Sequence, residues 1–165
     1  MANICSFSMQ VKGTRENIEK FFEAMTQAKD VWMGRGSEAD IEYEDEDGRA
    51  QIDGWCKWSI QSALIDNALS MRKQQMTGEG YWYWGDEIQN VKEFITLFEA
   101  CKKYNVNMEV YSEEPGCCFS EHYKYENGKI LDECVDYEEH YDDDGNFIGA
   151  VGGYKDWYFD LEEVA

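Results

Sequence analysis

The stretch VNMEVYSEEPGCCFSEHYKYENGKILDECVDYEEHY, residues 106–141, decides the fold of this chain. It predicts three strands, 106–112, 117–126 and 129–141, because apolar and aromatic residues alternate with polar ones in each of them. Asn127-Gly128 separates the second strand from the third, and Asn-Gly strongly favours a two-residue hairpin turn. The stretch therefore predicts an antiparallel sheet that continues through residue 141.

The residues before this stretch predict a strand followed by a helix. Residues 4–11 alternate, which predicts a strand with one apolar face made of Cys5, Phe7, Met9 and Val11. Thr14 is a suitable N-cap for an amphipathic helix over 15–28. Its apolar face consists of Ile18, Phe21, Phe22 and Met25.

A hairpin and a second helix follow. Asp47-Gly48 is a tight-turn signal between predicted strands at 38–46 and 49–62. The second of these strands presents one face made of Ile52, Gly54, Cys56, Trp58 and Ile60. Asp86 and Gln89 resemble a capping box that opens a second amphipathic helix, which ends near Tyr104-Asn105. The interval of about 64–85 fits neither pattern and is expected to be an irregular insertion.

The order of these elements predicts an α+β fold. A strand, a helix, a strand pair, a helix and further strands form a ferredoxin-like split β-α-β unit with an extended antiparallel sheet packed on two helices. A last strand is predicted from Phe147 towards Phe159. With 165 residues and no proline-rich linker, residues 1–165 are expected to form a single ferredoxin-like domain.

The charge of the chain restricts what it can bind. The net charge is −20, and residues 81–165 hold 21 acidic against 6 basic side chains, whereas residues 1–80 hold 14 against 9. This excess disfavours direct contact with nucleic acid or anionic lipid, since binding to phosphates requires cations. It favours a basic partner, including the groove of a nucleic-acid-binding protein. The alternative is that the charge only keeps an aromatic-rich protein soluble.

The termini and cysteines indicate a cytosolic protein. No stretch is long and apolar enough to span a membrane, and residues 1–6 lack the basic and apolar regions of a signal peptide. The six cysteines include no C-x-x-C pair, so we interpret them as reduced thiols rather than disulfides or a metal site.

Three segments carry a resemblance to a known family. They are residues 54–60 (GWCKWSI), 110–116 (VYSEEPG) and 119–123 (FSEHY). With the stretch from Tyr111 to Glu139, they resemble a largely uncharacterised group of phage and plasmid proteins with a YubB-like, ferredoxin-like domain. The resemblance covers about half of the chain. It implies a mobile-element origin and a ferredoxin-like fold, but no activity. With that origin, the cytosol indicated by the termini and cysteines is the host bacterial cytosol.

The predicted strand 129–141 contains the main candidate binding surface. One face presents Asp132, Cys134, Asp136, Glu138, His140 and Asp142, and the other presents Glu133, Val135, Tyr137, Glu139 and Tyr141. Alternate residues of a strand lie about 6.6 Å apart. Because one DNA strand advances about 3.4 Å per phosphate, successive carboxylates match roughly every second phosphate. The face is therefore either a mimic of a nucleic-acid backbone or an ordinary solvated sheet face.

Catalytic and metal sites are not indicated. The chain has no nucleophile elbow, zinc-protease motif, phosphate-binding loop or dinucleotide fingerprint. Glu113, Glu114, Glu121 and His122 are candidates for acid–base chemistry, but Glu121 and His122 are expected on opposite faces of one strand. Cys118 and His122 lie about 13 Å apart along a straight strand, which is too far for a hydrogen bond. The run 142–146 lacks the spacing of a calcium loop. Taken together, these absences lead us to expect no enzyme, no metal and no cofactor.

These observations lead to two hypotheses. The first is a phage-encoded inhibitor of a bacterial defence nuclease, such as a CRISPR effector or restriction enzyme, that occupies the nucleic-acid groove. Its electrostatic residues would be Asp132, Asp136, Glu138, Glu139, Asp142, Asp143 and Asp144, and its anchoring residues Tyr137, Tyr141, Trp82 and Trp84. Trp82 and Trp84 have an alternative role in closing one end of the core. The second hypothesis is a non-enzymatic phage accessory or regulatory module that self-associates and whose acidity serves only solubility.

Overall fold

The computed structural model describes residues 3–26, 38–44, 48–65, 95–154 and 156–165. Seven strands form one antiparallel sheet in the order β2-β3-β1-β4-β5-β6-β7, so the fold is a sheet-dominated α+β fold. In chain order the elements are β1 (Ile4–Lys12), α1 (Arg15–Thr26), β2 (Glu38–Tyr43), β3 (Arg49–Lys57), α2 (Leu97–Tyr104), β4 (Asn107–Glu114), β5 (Phe119–Glu126), β6 (Lys129–Tyr141) and β7 (Phe147–Gly152).

The first helix begins where the sequence predicts. The backbone N–H of Asn17 donates to Thr14 Oγ1 at 3.2 Å, so the predicted N-cap is confirmed. The helix is described as far as Thr26, and the last two predicted residues, 27 and 28, lie outside the described residues. The buried side chains of Ile18, Phe21 and Met25 lie on its inner face, as their spacing predicts.

The second helix is shorter than predicted in the described part of the chain. Thr96 has an extended backbone, and α2 begins after it at Leu97. The Thr96 N–H donates to the Glu99 carboxylate at 3.0 Å, as in a capping box. The end of the helix at Tyr104, followed by a left-handed Asn105, confirms the predicted end. No helix among the described residues is long and apolar enough to cross a membrane.

The core lies between the two helices and one face of the sheet. The predicted inner face of β1 is confirmed, because Cys5, Phe7, Met9 and Val11 are all buried. Neighbouring strands and α2 add the rest of this layer, which includes Ile52, Cys56, Leu97, Cys101, Met108, Val110 and Tyr123. Neither β6 nor β7 contributes a side chain to this cluster. Among the described residues, the helix-covered part of the sheet therefore ends at β5.

The strand β3 ends earlier than the sequence predicts. It stops at Lys57, and Trp58 has a left-handed backbone (φ 70°) and an exposed side chain, so Trp58 does not share the inner face with Ile52 and Cys56. A single π-helical turn follows at Gln61–Ile65. Of the irregular insertion predicted at about 64–85, the first two residues belong to this turn, and residues 66–85 lie outside the described residues.

A buried carboxylate ties this turn to the sheet. Glu121, on the inner face of β5, is 1 % exposed and accepts five hydrogen bonds. The two backbone N–H donors are those of Ile60 at 2.8 Å and Gln61 at 3.0 Å. The three side-chain donors are Ser112 Oγ at 2.7 Å, Tyr123 OH at 2.6 Å and Cys5 Sγ at 3.7 Å. One side chain therefore connects β1, β4, β5 and the turn after β3.

The predicted last strand from Phe147 towards Phe159 is wrong in its second half. The strand β7 ends at Gly152, because Gly152 and Gly153 both have left-handed backbones (φ 95° and 71°). A side chain at Gly152 would have its Cβ 2.9 Å from the Asp136 carbonyl oxygen, so the close passage requires glycine. The chain turns here onto the outer face of the sheet.

Residues 156–165, which we call the return segment, cover the outer face of β4 and β5. Tyr111 OH donates to the Tyr158 carbonyl at 2.9 Å, and the Asp160 N–H donates to the buried Glu109 carboxylate at 2.9 Å. Asn107 Nδ2 donates to the Glu162 carbonyl at 3.0 Å. Both faces of β4 are therefore buried, the inner face by helices and the outer face by an extended segment.

The hydrogen bonds of Glu121 predict a graded loss of stability. Glu121→Ala leaves several buried donors without an acceptor, so we expect the free energy of unfolding to fall by about 3 kcal/mol or more. Glu121→Gln keeps one acceptor oxygen and is expected to cost less, and Tyr123→Phe about 1 kcal/mol. Urea denaturation measures the series.

Glu23→Ala is the matched control, because Glu23 is exposed on α1 and its loss is expected to change stability by less than about 0.5 kcal/mol. Equal midpoints for Glu121→Ala and Glu23→Ala would contradict the central role of Glu121.

Candidate partner-binding surface

The strand β6 extends beyond the core. Its bounds, Lys129–Tyr141, are those that the sequence predicts. The preceding turn has left-handed backbones at Asn127 (φ 49°) and Gly128 (φ 87°), which is the geometry of a type I′ hairpin. The first part of β6 pairs with β5, and residues 137–141 pair with β7. We call β6, β7 and the turn between them the ribbon (residues 129–152).

The carboxylates of the ribbon are mostly exposed. Asp132, Asp136 and Glu138 lie at alternate positions on one face of β6, together with Cys134 and His140. The exposed acids that the sequence singles out are Asp132, Asp136, Glu138, Asp142, Asp143 and Asp144. Glu139 is partly buried on the other face, where its carboxylate accepts a hydrogen bond from Tyr141 OH. The structure thus brings the predicted acids together along one ribbon.

Few cations neutralise these carboxylates. Among the described residues, two ion pairs involve exposed acids of the ribbon, Glu138 with His140 at 4.0 Å and Glu133 with His122 at 3.7 Å, and each requires a protonated imidazole. Lys124, on the neighbouring strand, is engaged by Asp160 and Glu126 at 2.7 and 3.1 Å. In the described part of the chain, the ion pairs of the ribbon's exposed acids are thus with histidines and not with lysine or arginine.

Asp142 organises the turn of the ribbon. Its Oδ1 accepts the backbone N–H of Asn146 at 2.8 Å and that of Asp144 at 3.0 Å, and its Oδ2 accepts Asn146 Nδ2 at 3.1 Å. These hydrogen bonds, the Asn146 N–H first, hold the pKa of Asp142 below its ordinary value. Asp143 and Asp144 are left exposed at the tip of the turn.

Tyr137 does not lie on the surface as the sequence analysis expects of an anchor. Its side chain is 8 % exposed, and burial raises the pKa of its hydroxyl above the ordinary range. A Cβ built on Gly153 would lie 3.4 Å from the Tyr137 ring, because the chain passes over the ring as it leaves β7. Tyr137 therefore fastens the ribbon to the rest of the fold instead of presenting a contact.

The ribbon also carries exposed apolar side chains that the sequence analysis did not single out. Phe147, Ile148 and Val151 on β7 are 59 %, 66 % and 64 % exposed, and Tyr141 packs edge-on against Phe147. The signal in the sequence is the absence of any charge in FIGAVG, residues 147–152, which is unusual for an edge strand. The predicted anchors Trp82 and Trp84 lie outside the described residues.

The acid–base candidates are placed on different faces. Glu121 and His122 lie on opposite faces of β5, as the sequence predicts: Glu121 accepts the Ile60 N–H, whereas the His122 ring contacts Tyr154. His122 Nε2 lies 2.8 Å from Glu109 Oε2, its Nδ1 lies 3.7 Å from Glu133, and its ring stacks on Tyr111 at 4.0 Å. Tyr111 of this cluster contacts the return segment, so the cluster holds that segment on the sheet.

The other candidate groups have local roles. The carboxylate of Glu114 accepts the backbone N–H groups of Gly116 at 2.8 Å and Cys117 at 2.7 Å, so it stabilises the turn before β5. Cys118 lies in that turn with a left-handed backbone (φ 56°). In the described part of the chain, no three His, Cys, Asp or Glu side chains are grouped so that they could hold a metal ion.

The turn geometry predicts a measurable pKa for Asp142. Because its folded pKa is lowered, the stability that these hydrogen bonds give to the turn is present above the unfolded pKa and is lost as pH falls through the folded pKa. We expect Asn146→Ala to raise the Asp142 pKa towards its ordinary value, as measured by carboxyl NMR titration. Asp143→Asn, which keeps all three hydrogen bonds, is the control and is expected to leave the pKa below that value.

No family model matches the chain, and neither the curated proteins nor the solved structures contain a match.

Proposed function

We propose that this protein is a non-enzymatic binding protein that inhibits a bacterial defence nuclease, such as a CRISPR effector or a restriction enzyme, by occupying its nucleic-acid-binding groove. The observation that carries the proposal is the ribbon, which has seven exposed carboxylates; among the described residues only Glu133 and Glu138 of these form ion pairs, each with a histidine. A partner with a basic groove would supply the missing cations.

The spacing of the carboxylates supports a groove built for nucleic acid. Asp136 and Glu138 stand about 6.6 Å apart, and Asp132 lies about 13 Å from Asp136 on the same face. Phosphates along one DNA strand follow at about 3.4 Å of axial rise, so these positions fall near every second or fourth phosphate. A row of basic side chains that contacts a backbone would meet carboxylates at similar intervals.

The whole-molecule charge supports a cationic partner. At a net charge of −20, the chain repels nucleic acid and attracts a basic surface over a distance set by the ionic strength, about 8 Å at physiological salt. Attraction of this kind accelerates association more than it adds affinity. The proposal therefore includes no direct binding to nucleic acid and no membrane contact. Tyr141 would supply an apolar contact, and Trp82 and Trp84 are further proposed anchors.

A ferredoxin-like arrangement and a mobile-element origin belong to the same proposal. The order β2-β3-β1-β4, with α1 after β1 and α2 before β4, supports a split β-α-β unit to which β5, β6 and β7 are added. The resemblance to YubB-like phage and plasmid proteins supports an origin on a mobile element. The six cysteines, none of them in a disulfide, fit the proposed location in the host bacterial cytosol.

A second candidate function rests on the apolar residues of β7. A phage accessory or regulatory module that self-associates would cover Phe147, Ile148 and Val151 with a second copy, and its acidity would serve only solubility. Self-association through an apolar surface depends weakly on salt, whereas the acidic inhibitor is expected to lose its partner steeply as salt is added. Salt dependence therefore separates the two functions.

The test is an affinity pull-down of the tagged protein from bacterial lysate, with washes at low and high salt. We expect recovery of a nucleic-acid-binding nuclease that competing duplex DNA or high salt releases. A variant that reverses four charges, Asp132→Lys, Asp136→Lys, Glu138→Lys and Asp143→Lys, is expected to lose at least about 100-fold in affinity for that nuclease and to fail to inhibit cleavage.

The matched control reverses Glu16, Glu19, Glu23 and Asp40, which are exposed on α1 and β2, and has the same net charge. It is expected to bind and inhibit nearly as well as the wild type. Inhibition by the ribbon variant at wild-type strength would refute the acidic-groove mechanism.

A further inference from the structure

The outer side of β7 is an open sheet edge. β7 is the last strand in the sheet order, with β6 on one side and no described strand on the other. Its six residues, FIGAVG, include no charged side chain, and three of them are large exposed hydrophobics. Edge strands are usually protected by charge, proline or a covering segment, so an edge of this kind is suited to pairing with another strand.

The register shows which backbone groups face outward. Tyr137 directs its N–H to the Cys118 carbonyl at 2.9 Å, which lies on the side away from β7. Its partner Gly152 therefore belongs to a pair without mutual hydrogen bonds, and in antiparallel strands such pairs alternate with hydrogen-bonded ones. Val151 and Gly149 face β6, whereas the N–H and C=O groups of Ala150 face the open side.

The acids around β7 decide between a second copy and a different partner. Glu138 and Glu139 oppose Val151 and Ala150 on β6, and Asp142–Asp144 lie in the turn that precedes β7. Two copies paired through β7 would bring two such acidic ribbons together, and each chain has a net charge of −20. Like charges at this distance disfavour the pair. A strand with basic side chains is attracted by the same acids.

We propose that β7 binds an extended segment of the partner by β-augmentation, with the segment's apolar side chains on the face of Phe147 and Tyr141 and its Lys or Arg side chains on the opposite face, beside Val151 and Glu138. The inference rests on the proposed function and adds the manner of recognition. Backbone hydrogen bonds to Ala150 set the register, and the alternation of apolar and basic side chains gives the specificity. An exposed edge strand of the partner, with alternating apolar and basic side chains, would meet these requirements.

The probe is a fluorescein-labelled peptide of eight residues in which Lys alternates with Val and Ile. A block peptide, with the same residues grouped as four Lys followed by four apolar residues, serves as the control for attraction by charge alone. We expect fluorescence anisotropy to show binding of the alternating peptide at least about tenfold tighter than the block peptide. Equal affinities for the two peptides, or no binding of either at millimolar concentration, would overturn the inference.

Two variants of β7 test the edge itself. Ala150→Pro removes the outward N–H without removing a hydrogen bond to β6 and is expected to weaken binding about tenfold or more, whereas Ala150→Val keeps the N–H and is expected to bind normally. Val151→Lys adds a cation beside Glu138, on the face that receives the segment's basic side chains, and is expected to weaken binding by a similar factor. Ile130→Lys, at an exposed apolar position on β6 outside the β7 pairing, is the matched control for it. Urea midpoints near that of the wild type show that each variant is folded.

The outcomes separate this inference from the proposed function. If charge reversal on the ribbon abolishes nuclease inhibition while Ala150→Pro and Val151→Lys inhibit normally, the edge inference fails and the acidic-groove function stands. If the β7 variants lose the alternating peptide while charge reversal leaves nuclease inhibition unchanged, the edge inference stands and the groove function fails. Concentration-dependent dimerisation that Val151→Lys abolishes would overturn the inference in favour of a second copy.

Discussion

The carboxylate of Glu121 is the constraint on which the rest of the fold depends. A carboxylate that is 1 % exposed requires hydrogen-bond donors from every direction, and here β1, β4, β5 and the turn after β3 provide them. Because those donors come from segments far apart in the chain, they meet only when β3, β1, β4 and β5 have assembled in this order. The buried charge thus couples the sheet to the π-helical turn more specifically than apolar packing alone.

This arrangement divides the sheet into a supported part and an unsupported part. The helices cover the inner face as far as β5, and the return segment covers the outer face of β4 and β5. β6 and β7 lie beyond both layers and are joined to them by the β5 ladder and by Tyr137. The side chains of β6 and β7 are absent from the buried core cluster of the described residues, so these positions can be polar or charged. The ribbon can therefore be acidic without loss of core packing.

Local signals in the sequence predict the strands and the first helix well. Asn127-Gly128 and the Asp-rich turn define both ends of β6, and the alternation in β1 identifies its inner face. These local signals fail where the backbone conformation changes within a continuous apolar pattern. Trp58 continues the apolar alternation of β3 but has a left-handed backbone, and Thr96 interrupts an apolar period that runs through it. The signal Thr96-x-x-Glu99 was present but weaker than the longer periodicity.

The candidate site is predicted less completely, because burial depends on segments that are distant in sequence. The exposed acids of β6 follow from its alternation, but Tyr137 alternates with them and is buried by the glycines at 152 and 153. The two sides of Glu121 and His122 follow from strand geometry alone. What those sides contact, the helix layer or the return segment, follows from tertiary structure that no local pattern contains.

The single buried anchor of the ribbon has a consequence for its motion. Segments with few buried apolar contacts open at a lower free energy than the core, as separate cooperative units. Detachment of Tyr137 would release β7 and the outer half of β6 while the contacts of Glu121 stay intact. We therefore expect the amide hydrogens of the ribbon to exchange with solvent through local opening. Those of β1 and β4 are expected to exchange through global unfolding. A partner bound to the ribbon would slow amide exchange in the ribbon far more than amide exchange in β1 and β4.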